Sequence, residues 1–155
     1  MDWLLLFHLL GALLFFGGAA VAAVGQLEAL RRRRPSAVAL LLGTTRWGVA
    51  LVGVGALLTI LFGSLLVARR GEWSFHQGWI RAAYALWIAS MVVGAIGGRP
   101  ARKARELADR LAAAGDEPSA ELDRAVRDPL SLVLSFASGA ILLALVVDMV
   151  WKAGA

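Results

Sequence analysis

WLLLFHLLGALLFFGGAAVAAVGQL, Trp3 to Leu27, contains no residue charged in the Asp/Glu/Lys/Arg set. About 20 helical residues at ~1.5 Å each cross a ~30 Å hydrocarbon core, so this stretch is long enough to span a membrane. In lipid a continuous apolar segment must be helical, because no water satisfies exposed backbone groups. A barrel strand is about ten residues of alternating polarity, and this run does not alternate. A secretory signal opens with a basic region, whereas only Asp2 lies between Met1 and Trp3. A retained span is expected.

Three further stretches repeat the pattern. Trp47 to Ala68 is uncharged, while 79–98 and 129–151 are apolar apart from Arg81 and Asp148. The expected fold is all-α: a four-helix transmembrane bundle forming one integral membrane domain over 1–155. Its spans are expected at about 3–27, 47–68, 79–98 and 129–151, with a short cytoplasmic helical arm over 99–128. Composition agrees. Hydrophobic residues are 59% of the chain, against roughly 45–50% in soluble domains, and mean hydropathy is +0.72. The absence of cysteine excludes disulfides, thiolate nucleophiles and cysteine metal sites.

The sequence pI of 11.0 would suggest nucleic acid in a soluble protein. Here the basic residues flank apolar runs, so topology accounts for them and no nucleic-acid partner is expected; the first partner is the lipid bilayer. One set comprises Arg31, Arg32, Arg33, Arg34 and Arg46, with Arg99, Arg102, Lys103, Arg105, Arg110, Arg124 and Arg127; the opposite side holds Arg69, Arg70, Arg81 and Lys152. The positive-inside rule places the richer set in the cytoplasm, giving an N-out/C-out multi-pass protein of the bacterial inner membrane. Trp3, Trp73, Trp79 and Trp151 then fall at the outer interface and Trp47 at the inner one, where an apolar ring with a polar N–H is favoured.

Within the arm, Ala104, Leu107, Ala108 and Leu111 share one face of a helix expected over 101–114, which Gly115 would end. A second short helix is expected over 119–127. Asp128-Pro129 has the form of an N-cap followed by the first helical residue. The arm is expected to rest near the membrane surface as a solvated connector, with partner docking or anionic headgroup contact as alternatives. Small residues recur as Gly11/Gly18/Gly25, Gly55/Thr59/Gly63, Ser90/Gly94/Gly98 and Ser135/Gly139, the spacing by which membrane helices approach closely.

Few polar residues interrupt the spans. Counting from Trp3, Trp79 and Trp151, the residues His8, Arg81 and Asp148 approach one level near the outer face. One reading pairs Arg81 with Asp148 and has His8 donate a hydrogen bond inside the bundle. The other is an outward-opening site of His8 and Asp148, joined by His76, Arg81, Glu72 and Met149. His8 and His76 are the cofactor-binding candidates; His8, Asp148 and Met149 are the metal-ligand candidates. Histidine and methionine suit haem iron or copper, and carboxylate suits harder ions. Met91, mid-span, is expected to fill the core.

The stretch His8-Leu-Leu-Gly-Ala-Leu-Leu-Phe15-Phe16-Gly17-Gly18 resembles the opening helix of copper-resistance D proteins and HemJ-type protoporphyrinogen oxidases. In those, a histidine is followed by an aromatic, usually tryptophan, and then by small residues. Over nearly its whole length the chain more closely resembles a bacterial four-helix membrane family of no assigned role, domain of unknown function 2269. The early His8, the arginine-rich first linker and Gly71-Glu-Trp73-Ser followed by Trp79-Ile carry that likeness, with the charged second linker and short fourth helix. The resemblance implies a four-helix bundle, with haem b or copper near His8. The further histidine or lysine positions of the haem- and copper-linked relatives have no counterpart in the later apolar runs.

No Ser/His/Asp spacing, HExxH, Walker loop or paired glutamate is visible. The leading expectation is therefore a non-enzymatic or accessory membrane protein of unassigned role, acting as a homo-oligomer or with a partner membrane protein. The alternatives are a haem- or copper-binding protein using His8, and a subunit of a small transporter or channel.

Overall fold

A computed structural model describes residues 2–69, 71 and 73–152. Its helices are α1 (Trp3–Ala29), α2 (Pro35–Arg69), α3 (Gly78–Ala113), α4 (Ala120–Val126) and α5 (Pro129–Trp151), with no strand among the described residues. Four helical segments are long and apolar enough to cross a membrane. The fold is the all-helical bundle expected of the apolar runs.

The helices outrun the hydropathy. α2 begins at Pro35, twelve residues before Trp47, and α3 runs unbroken through Pro100 to Ala113. At ~1.5 Å per residue each is longer than 50 Å, against a ~30 Å hydrocarbon core. Both extend beyond a bilayer at the same end, marked by Arg31–Arg34. We call this the arginine end, and the opposite one, marked by Trp3, Trp79 and Trp151, the tryptophan end. The arm's first helix is thus the continuation of α3.

α1 and α2 form the tightest pair, an antiparallel hairpin closed by residues 30–34. A Cβ built on Gly18 would sit 2.6 Å from the Gly48 carbonyl oxygen, and one on Gly48 would sit 2.7 Å from that of Gly18. Gly11 packs equally closely on Thr59, and Gly25 lies against Thr45. The seven-residue glycine repeat of α1 is therefore the seam on which two backbones meet, as small residues allow in membranes. α3 and α5 pair differently. Their close approach is at Gly97, where a Cβ would lie 3.0 Å from Leu134 Cβ; Gly98 and Gly139 face open space and Gly94 has only a contact at 3.9 Å. The expected Ser90/Gly94/Gly98 and Ser135/Gly139 seams are corrected: the close contact is at Gly97. Ser90 and Gly97 are buried and seven apart on α3, whereas Gly94 and Gly98, four and eight residues after Ser90, are exposed.

Two cores result. Between the spans, Phe15, Ala56, Ala83, Leu142 and Leu145 pack together, with Met91 and Met149 against them. At the arginine end, the protruding turns of α2 and α3 meet α1 and α4 in a second core of Ala29, Val38, Leu42, Ala104, Ala108, Leu122 and Val126. The apolar face of the arm is thus spent on the α1–α2 corner. A Schellman ending shapes the arm, and two polar joints hold it there. Gly115 takes φ 130° and the Asp116 N–H donates to Leu111 O at 3.1 Å, a Schellman ending. The Asp116 carboxylate then accepts from Ser36 N and Ser36 Oγ, both at 2.7 Å. Arg127 donates to Leu30 O at 2.9 Å and to Asp123 at 3.0 Å. Asp128 caps α5 by accepting from Ser131 N, with Pro129 in the first turn.

Candidate functional site

Some intramembrane polar residues form joints between helices; the Thr45, Thr59 and Ser90 hydroxyls bond carbonyls of their own helix, and Trp79 Nε1, Trp87 Nε1 and Asp148 Oδ2 are buried without a partner. The first joint is at His8. Its Nδ1 lies 3.0 Å from Thr59 O on α2. A carbonyl can only accept, so Nδ1 is the donor in this contact, and Nε2 takes no part in it. Gly63 makes room for the ring: a Cβ there would lie 3.0 Å from both Cε1 and Nδ1. The second joint links three helices near the arginine end. Gln26 donates to Ser131 Oγ at 3.2 Å and accepts from Ser135 Oγ at 3.1 Å, while the buried Ser131 hydroxyl donates to Gly97 O at 3.2 Å. Sequence reasoning passed over this joint, because an uncharged glutamine near the end of an apolar run resembles the rest of the run. The third joins α2 to α3, with Ser64 Oγ and Tyr84 Oη at 2.6 Å.

A group left open lies at the tryptophan end. Asp148 Oδ2 is buried with no hydrogen-bond partner. Arg81 is exposed. Ion pairs between described residues join Arg31 to Glu28, Arg102 to Glu106, Arg105 to Asp109 and Arg127 to Asp123; Arg81 and Asp148 are in none, so the expected Arg81–Asp148 pair is absent. Lys152, one turn beyond Asp148, is drawn elsewhere. It has left-handed backbone, φ 44°, and its ammonium sits 4.9 Å from the Trp73 ring centroid and 5.7 Å from that of Trp79, within cation–π range. The two indoles meet edge-on at 5.8 Å. Trp79 is 5% exposed, and its Nε1 has no partner.

The other candidates take separate places. His76 is exposed, its Nδ1 3.3 Å from Ser74 Oγ. Met149 fills space between the central core and the Val67–Trp79–Ile80 cluster. Glu72 lies outside the described residues. No hydrogen bond or ion pair among the described residues links His8, His76, Arg81 and Asp148.

For haem or copper, the chain offers a single oriented imidazole. Among the described residues no three of His, Cys, Asp and Glu gather as a metal-holding group. Two cavities, of about 350 and 230 Å³, lie toward the arginine end, and His8 lines neither. One axial bond from Nε2 is within the ring's chemistry; a set of ligands within one copy is not assembled.

A family model described as predicted integral membrane protein (DUF2269) matches residues 2–153. The chain belongs to this family. No curated protein and no solved structure matches it. The DUF2269 description states membrane integration and names no ligand or reaction. For this DUF2269 protein, any role for His8, Arg81 or Asp148 therefore rests on geometry.

Proposed function

We propose that this DUF2269 protein is a non-enzymatic accessory protein of the bacterial inner membrane that acts by lateral association, with a second copy or a partner membrane protein meeting the tryptophan end. One observation carries this reading. Among the described residues, three polar joints link the helices, whereas Asp148 keeps a buried oxygen without a donor and Arg81 keeps an exposed guanidinium without a carboxylate. Charged groups within membrane spans are costly and pair where they can. Asp148 as a whole is only half-buried, so a two-fold contact between copies would bring Arg81 of each to the accessible part of Asp148 of the other. The clustering of basic linkers at one end supports the N-out/C-out orientation.

The test is association in nanodiscs, read by single-molecule photobleaching and by co-purified membrane proteins. Asp148→Asn and Arg81→Gln are expected to weaken self-association or partner recovery at least tenfold. For a homo-oligomer, the exchange Arg81→Asp with Asp148→Arg restores it. Unchanged association in both single variants sinks the reading. Orientation is checked by thiol labelling of intact cells: a cysteine placed at Phe75 reacts and one at Arg32 does not.

A second reading, haem or copper on His8, is favoured by one feature. A metal-binding histidine commonly donates its other N–H to a carbonyl, as Nδ1 does to Thr59. Protein from haem-replete cells would show a stoichiometric Soret band or bound copper, lost in His8→Ala. A colourless, metal-free and stable preparation removes this reading.

A further inference from the structure

The cavity of about 230 Å³ at the arginine end lies between the α1–α2 turn and α4. Its floor is apolar, formed by Val38, Leu122 and Val126 of the second core. Its rim is Arg32, Arg33 and Ser119. Both arginines are exposed, and neither forms an ion pair among the described residues. Two neighbouring cations are committed, Arg31 to Glu28 at 2.9 Å, and Arg127 to Asp123 and Leu30 O, and the charge of Arg34 acts on Asp116. Asp123 also lines the cavity, but its charge is matched by Arg127. The wall is therefore net positive. Ser119 Oγ accepts from Glu121 N, so its hydroxyl hydrogen is available to an acceptor.

The volume far exceeds the ~30 Å³ share of one water, and Arg32 and Arg33 follow shortly after Leu27, the last residue of the apolar run of α1. Guanidinium forks match the paired oxygens of phosphate better than a point charge does. An apolar floor below such a rim suits a group that is anionic at one end and aliphatic at the other. We propose that this cavity is a phosphate-binding site, with Arg32 and Arg33 holding the oxyanion, Ser119 donating to it, and Val38, Leu122 and Val126 receiving the stem of an anionic phospholipid. Free phosphate shares the oxyanion chemistry and is separated from lipid by the test.

The full chain in neutral detergent is titrated with phosphatidylglycerol, phosphatidylcholine or inorganic phosphate. Thermal midpoint and native mass spectrometry are the readouts. Phosphatidylglycerol is expected to raise the midpoint by several degrees and to remain bound at one per chain, with phosphatidylcholine at least tenfold weaker. Arg32→Ala with Arg33→Ala loses at least tenfold in apparent affinity. Arg32→Lys with Arg33→Lys, which keeps the charge and removes the forks, falls between. Arg99→Ala with Lys103→Ala removes the same charge from exposed positions outside the cavity and keeps wild-type affinity. Saturation by millimolar phosphate, lost in the same double variant, assigns the site to the free ion. Equal weakening by both alanine pairs, or equal binding of phosphatidylcholine, overturns the proposal. The Arg32 and Arg33 side chains are exposed and form no ion pair among the described residues, so the folded state is expected to survive their removal, and an unligated thermal midpoint equal to wild type checks this.

Discussion

At the arginine end Asp116 receives two hydrogen bonds from Ser36 at 2.7 Å, and Arg127 reaches a carbonyl of α1 at 2.9 Å. At the tryptophan end Asp148 keeps a buried oxygen without a donor, Arg81 faces outward without an acceptor, and Lys152 lies over two indoles. Both ends carry charged residues. They differ at the covered groups: the chain itself completes the joints of the arginine end, where exposed cations such as Arg32 and Arg33 stay unpaired among the described residues, and it leaves the buried Asp148 oxygen without a donor. The arginine end is built like a small soluble domain, with an apolar core and helix ends capped by side chains. The tryptophan end completes its aromatic packing and leaves its charges open. Groups that one chain satisfies internally serve its own stability, and groups that it leaves open are where a second molecule has something to gain.

The largest expected effect tests whether the arginine-end core is structural. Leu122 is 2% exposed within it. Leu122→Ala should cost about 2–5 kcal/mol, measured by denaturant unfolding in detergent, and should make the 114–128 segment sensitive to protease. Met149→Ala at the other end removes a side chain that is only partly buried, so the loss should be smaller and the arm should stay protected. Equal losses from the two variants would erase the distinction.

Next comes a contrast in sign. Asp148→Asn replaces a carboxylate with an unpartnered buried oxygen by a neutral amide, and the isolated monomer should gain on the order of 1 kcal/mol. Asp116→Asn at the arginine end removes the charge and leaves one acceptor oxygen where the two Ser36 donors now have two, and should destabilise. Thermal midpoints of the two variants at matched detergent should move in opposite directions. Movement of both downward would mean that Asp148 is satisfied in the folded protein.

Hydropathy marks where lipid begins, and the backbone becomes helical elsewhere. That is why the number of spans was legible while α2 starts at Pro35 and α3 passes through Pro100. The Gly11/Gly18/Gly25 seam could be read because a seven-residue repeat stays on one helix face; the stripe through Gly94 and Gly98 could not be distinguished from it without knowing which face α5 covers. The arm's apolar face, Ala104 and Ala108, was visible as periodicity, but its partner depends on how far α2 protrudes. At the site, His8 was conspicuous and its acceptor was not: Thr59 and Gly63 look like packing residues until the register of the hairpin is fixed. Gln26 bears no charge, so nothing in composition marked it. Trp79 and Trp151 suggested one level for Arg81 and Asp148, but whether two such residues pair depends on rotation about each helix, which hydropathy does not fix.

The smallest effect is one of pH, confined to the arginine end. Hydrogen bonds from the Ser36 side chain, then the Ser36 backbone, then the charge of Arg34 hold Asp116 below its ordinary value, with burial opposing. A carboxyl lowered in the folded state contributes stability that is fully present above the unfolded value of about 4. That stability is lost as pH falls through the lower, folded value. The expected outcome is that the loop joining α3 to α4 stays protected from pH 7 to pH 5 and loosens below about 4, read by hydrogen exchange at the Ser36 amide. Because Asp116 is exposed, the change should be modest and local, leaving the α1–α2 seam protected. In Asp116→Asn that step should vanish while protection is lower throughout. A step that persists in the variant would assign the acid sensitivity to another carboxylate of the arm and free Asp116 from the role of latch.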